Sequence, residues 1–124
     1  MTGNEYQELA MRTNDGKGMD RLKDYAEKSG NATTGGILNG VLGLTGEAGE
    51  VADLVKKGIF HEKGIDFEHL KKELGDCMWY LAMICDACGF TMDEVMQTNI
   101  DKLKARYPEG FDTYRANHRT EGDI

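Results

Sequence analysis

Proline is almost absent: the chain has one, Pro108, and no long run of residues alternates apolar with polar. Both absences leave little support for β-strands, while apolar residues recur at helical spacing along nearly the whole sequence. Cysteine is scarce and odd in number, with three in all, which argues against a disulfide framework and fits a reducing compartment. Long hydrophobic runs are also missing. The longest, which carries Met78 to Cys85, is far too short to cross a bilayer. The opening residues, Met1 to Tyr6, have neither the basic start nor the apolar stretch of a secretory signal. These features predict a cytoplasmic protein without a membrane partner. Positive charge is in deficit as well: 15 Lys and Arg against 22 Asp and Glu leave a net charge of −7. Such a chain offers no broad basic surface, so nucleic acid is not expected as a partner. An acidic protein acting on phosphates must instead carry its positive charge as bound cations plus a few placed Lys or Arg.

A chain of 124 residues has room for one domain with one core. The spacing predicts an all-α fold, with a first helix from about Asn4 to Thr13 and a second piece from Met19 to Lys28. Ser29 to Gly36 reads as a turn-rich linker. A long helix follows from about Ile37 to Lys57, ending at Gly58. The next runs from Phe67 to Ala87, capped by Asp66, with Gly89 just past its end. Thr91 opens the last helix with Glu94 three residues on, the pattern of a capping box, and Pro108 closes it. The organisation expected is a single domain over residues 1–124, with a core of about 4–111 and a polar tail over 112–124, loose at its end.

Two acidic pairs stand out, Glu47-Ala-Gly-Glu50 and Glu73-Leu-Gly-Asp76. Residues three apart share a helix face, so each pair sends two carboxylates in one direction. Acidic residues at this spacing are commonplace on solvated surfaces, but the neighbours here are not polar. Glu47 falls in the sector of Leu44, Val51 and Leu54, and Glu73 beside Leu70, Cys77 and Ile84. Four carboxylates at the edge of an apolar stripe need compensating charge. An all-oxygen donor set suits Mg²⁺, with Mn²⁺ able to substitute, whereas a di-iron bundle would want a Glu-x-x-His on each of two helices. No histidine follows any of these acids at that spacing. Mg²⁺ held by carboxylates keeps positions open for phosphate, which points to phosphoryl chemistry.

The last helix supplies the complement. Asn99, Lys102 and Arg106 follow one another at three- and four-residue steps, as donors for a polyphosphate chain would. A single Lys or Arg there would simply reach from the core edge to water. Lys57 lies seven residues after Glu50, two turns on along the same face, and Tyr80 lies four after Asp76. Both are candidates to touch substrate, with a core tyrosine as the plainer role for Tyr80. Glycines at 40, 43, 46 and 49 each cost about 1 kcal/mol against alanine in a helix. The simplest return is close approach of a neighbouring backbone. A phosphate-cradling loop is ruled out, because its terminal Lys-Ser/Thr is missing. Cys85-Asp-Ala-Cys88 sits late in an apolar helix without further ligands for zinc.

The ordered set of these residues resembles the signature of the MazG-like, all-α nucleoside triphosphate pyrophosphohydrolases. Glu47-x-x-Glu50, a gap of 22 residues and then Glu73-x-x-Asp76 carry the likeness. The blocks from Gly43 to Val51, Glu73 to Leu81 and Asn99 to Phe111 extend it, so that it covers roughly residues 37–111. The resemblance implies a four- to five-helix bundle assembled as a homodimer or homotetramer, with sites completed by neighbouring helices. It implies cleavage of a nucleoside triphosphate between the α and β phosphates, giving a nucleoside monophosphate and pyrophosphate. It also implies that Glu47, Glu50, Glu73 and Asp76 hold Mg²⁺, and that Asn99, Lys102 and Tyr80 contact the substrate. Glu47 or Glu50 would be the general base. Many members carry two adjacent glutamates at the start of the motif, where this chain has Gly46 before Glu47. Two other readings stand beside this one: the same fold specialised for one deoxynucleotide such as dCTP, dUTP or dGTP, and a non-catalytic, metal-binding helical bundle acting as a regulatory partner.

Overall fold

The computed structural model describes residues 1–124, and the chain is all helix. Its order is α1 (Gly3–Met11), α2 (Gly18–Ser29), α3 (Asn31–Phe60), α4 (Phe67–Cys88), α5 (Met92–Arg106) and α6 (Thr113–Asn117). Local chemistry sets most of the ends. Thr2, rather than Asn4, caps α1 and forms a capping box with Glu5. Asp66 accepts from the His69 backbone to start α4, and Thr91 and Glu94 form the expected capping box on α5. Gly89 ends α4 in the left-handed conformation, with the Phe90 amide donating to the Cys85 carbonyl at 2.9 Å.

The chain departs from the sequence expectation along α3, which runs on to Phe60, past the Gly58 expected to end it. The stretch Asn31 to Gly36, read as a linker, is the first part of α3, and only Gly30, at φ +93°, breaks the chain between α2 and α3. In the 112–124 tail Asp112 caps α6, and the residues beyond it fold back onto α5. With α6 the helices number six, consistent with the all-α fold expected.

The architecture rests on the antiparallel pair α3 and α4, against which α2 leans. Glycines allow the pair to close. A Cβ on Gly36 would lie 2.7 Å from the Ala87 Cβ, one on Gly40 would lie 2.5 Å from Ile84 Cγ1, and one on Gly43 would overlap the Tyr80 ring. As the α3 number rises by four and then three, the α4 number falls by three and then four. The same register carries on to Glu47 opposite Asp76. Gly46 and Gly49, by contrast, have nothing within 4 Å of a Cβ. The turn after α3 closes as tightly, with the Gly64 amide donating to the Gly58 carbonyl at 2.9 Å.

Few residues are buried in the chain by itself. Only Thr34, Gly40, Gly58 and Cys85 are. Large apolar side chains on α3 and α4 face outward, among them Leu42 at 71 % exposure and Trp79 at 59 %. The α3–α4 pair therefore has a closely packed seam and an uncovered apolar surface. No helix is long and apolar enough to cross a membrane.

Candidate metal centre

The acidic residues lie where the glycine seam opens. Carboxylate oxygens of Glu47, Glu73 and Asp76 all come within 4.8 Å of one another, joining α3 and α4 across their interface. Glu47 and Glu73 are half-buried and Asp76 is exposed. Glu50, the fourth member expected, is exposed and outside this group. It lines instead a neighbouring groove of about 410 Å³, together with Asp53, Lys57, Lys63, His69 and Glu73.

Electrostatics set Glu47 apart within the three-acid group. Partial burial raises the Glu47 pKa above the usual glutamate value, and the charges of Asp76, Glu73 and Glu50 push it further the same way. Lys57, expected as a substrate contact, pairs with Asp53 one turn before it at 2.6 Å. That hydrogen bond, together with the attraction of the opposite charges, holds the Lys57 pKa up and the Asp53 pKa down. So Lys57 is already engaged on its own helix. The donors are carboxylate oxygens alone, a set that fits a hard divalent cation and not a thiolate-seeking one.

His69 is a neighbour the sequence reading passed over. Its Nε2 lies 2.8 Å from Glu73 Oε1, a contact that the four-residue spacing on α4 could have disclosed. Tyr80 is half-buried with its ring over Gly43 and edge-on to Trp79, at a centroid separation of 5.0 Å. This is the plainer packing role. Asn99 is exposed on α5. Lys102 and Arg106 line a separate cavity between α5 and the tail, and within one chain they are not drawn to the acidic groove.

An all-helical chain with a carboxylate cluster suited to a divalent cation is thereby defined. Comparison with known proteins gives the class a family. Residues 37–111 match the model of the MazG nucleotide pyrophosphohydrolase domain, and the chain belongs to that family, whose members are in general dependent on divalent metal. The chain is also similar to the Gene 37 protein of Mycobacterium phage L5, with 37 % identity over 79 residues, covering 60 % of this chain and 69 % of that one. No solved structure matches it.

Proposed function

We propose that this protein hydrolyses nucleoside triphosphates between the α and β phosphates, releasing a nucleoside monophosphate and pyrophosphate. The observation that carries the reading is the convergence of Glu47, Glu73 and Asp76 across α3 and α4, within a matched pyrophosphohydrolase domain. These three would hold Mg²⁺, or Mn²⁺ in its place. When bound, the cation offsets the charge of the phosphates and makes water a better nucleophile. Glu50 stands apart from the three, beside the groove, and is the better placed of the two candidate bases to take the proton of an attacking water. His69 holds Glu73 at 2.8 Å and fixes where that carboxylate points. Lys57 at the groove and Asn99, Lys102 and Arg106 on α5 supply donors for the phosphate chain. Tyr80 acts by holding α4 against Gly43.

The uncovered apolar surface of α3 and α4 supports a homodimer or homotetramer as the working form. We read residues 1–124 as one domain and the protein as cytoplasmic.

The test is a panel of ribo- and deoxyribonucleoside triphosphates with Mg²⁺, resolving pyrophosphate from orthophosphate. Pyrophosphate release that Glu50→Gln or Asp76→Asn abolishes supports the reading. Orthophosphate as the first product, or no turnover across the panel, refutes it. Activity on a single deoxynucleotide would narrow the reading to the specialised form.

A further inference from the structure

The cavity between α5 and the tail has the opposite charge character to the rest of the chain. Lys102, Arg106, Arg115, His118 and Arg119 line its space of about 330 Å³, against the carboxylates of Glu121 and Asp123. In a protein of net charge −7, this is a local concentration of cations. Two of them are occupied by the tail itself. The Arg106 guanidinium grips Asp123 through two hydrogen bonds, Nε to Oδ2 at 2.7 Å and Nη2 to Oδ1. Lys102 Nζ donates to the Ile124 backbone carbonyl at 2.9 Å. The two-pronged hold on Asp123 is the geometry by which a guanidinium takes a phosphate.

The tail is built to reach this position. Gly122, at φ +85°, turns the backbone, and the Asp123 amide donates to the Thr120 carbonyl at 3.0 Å. Little besides polar contacts holds it there. The Arg106 and Asp123 side chains are shielded, at 10 % and 13 % exposure, whereas Ile124 and Tyr114 project into solvent. A strap fastened by hydrogen bonds and charge, with no apolar anchor, can be exchanged for another anion of the same geometry.

We infer that the Thr120–Ile124 segment is an intramolecular stand-in for a polyphosphate, with Asp123 and the Ile124 carbonyl occupying the positions on Arg106 and Lys102 that phosphate oxygens take when substrate binds. The inference rests on the reading of α5 as phosphate-binding given above. It adds that substrate must displace the strap, so that the affinity of the site is set by how often the strap is open. A strap closed about nine-tenths of the time weakens apparent binding about tenfold.

The probe is inorganic tripolyphosphate, titrated calorimetrically into the full chain. Asp123→Asn should bind it about tenfold more tightly than the unaltered chain, and should lower KM for a nucleoside triphosphate with kcat unchanged. Arg106→Gln should weaken tripolyphosphate binding, and the double variant should bind no more tightly than Arg106→Gln alone. If Asp123→Asn keeps its thermal midpoint and gains no affinity, the strap is refuted while α5 still binds phosphate. If Arg106→Gln binds as tightly as the unaltered chain, the phosphate-binding reading of α5 fails, and the strap with it. A measurement without substitutions guards against a misfolded variant: saturating tripolyphosphate should sharpen the amide resonances of Gly122 to Ile124 as they are released. Unchanged resonances at saturation would overturn the inference.

Discussion

Replacing single α3 glycines by alanine should change stability in opposite directions depending on which side of the helix they occupy. In a helix interior the exchange is worth about 1 kcal/mol in favour of alanine. At Gly46 and Gly49 a new methyl meets nothing within 4 Å, so the gain is realised in full. At Gly36 the methyl would sit 2.7 Å from the Ala87 Cβ, where carbons prefer about 3.5–4.0 Å. The Ala87 Cβ cannot rotate away, so the backbones of α3 and α4 must part by about 1 Å, and overpacking of this kind costs about 1–3 kcal/mol. The net effect at Gly36 is a loss of up to about 2 kcal/mol. Gly43 falls on the same side, because its methyl displaces the Tyr80 ring. The assay is thermal unfolding followed by far-ultraviolet circular dichroism, at one fixed protein concentration. Gly46→Ala should raise the thermal midpoint by about 3–5 °C, and Gly36→Ala should lower or at best preserve it. If Gly36→Ala stabilises as much as Gly46→Ala, the helices do not meet along this seam and the register that brings Glu47 to Asp76 is wrong.

Three further outcomes follow from the same geometry. The raised Glu47 pKa means that the folded, metal-free protein holds a proton that the unfolded chain has released; this contribution to stability is full below the usual glutamate value of 4.5 and is lost as pH rises through the raised one. A pH series of thermal midpoints should therefore show a decline above about pH 4.5 that Glu47→Gln removes. Mg²⁺ should raise the midpoint in proportion to the logarithm of its concentration; Asp76→Asn should abolish that shift, and Glu50→Gln should keep it while losing turnover. Finally, the midpoint should rise with protein concentration, since the apolar faces of α3 and α4 are proposed to be covered by another copy; a midpoint constant over a hundredfold range would exclude that.

The helices themselves were legible because their ends are set by residues a few positions apart. Asp66, Thr91, Glu94 and Gly89 are cap residues whose partners lie within the next turn, so reading them needs no tertiary structure. The start of α3 was not legible. Asn31 to Gly36 carries turn-forming residues, and that preference is overridden by a tertiary contact, Gly36 on Ala87, and by a local one, the Thr34 hydroxyl donating to the Gly30 carbonyl at 2.8 Å. The acidic residues show the same division. Spacing places Glu47 and Glu50 on one face, yet three steps of a helix leave them about 60° apart. Glu73 and Asp76 are the same angle apart and both reach the cluster, so what separates Glu47 from Glu50 is which of them faces α4, a tertiary fact that spacing does not carry. The grip of Asp123 on Arg106 spans 17 residues of sequence, and no periodic pattern announces a contact between a tail and a helix.

The glycine seam also makes the distance between the acids a property of the main chain. Side chains that touch across a helix pair can yield by changing rotamer, whereas the Ala87 Cβ facing Gly36 has no rotamer to change, and Gly40 and Gly43 receive the Ile84 and Tyr80 side chains with no room to spare. The two backbones are clamped at one end, and Glu47, Glu73 and Asp76 stand just beyond the clamp, like the open jaws of a caliper. With no cation between them, mutual repulsion works against the jaws with the leverage of a short arm, and Gly46 and Gly49 lie where α3 can bend to relieve it. On the proposed function, an ion of the right radius would close the jaws at no cost to the clamp, and a larger one would have to pry the helices apart. Discrimination between cations would then be written in residues that never touch one.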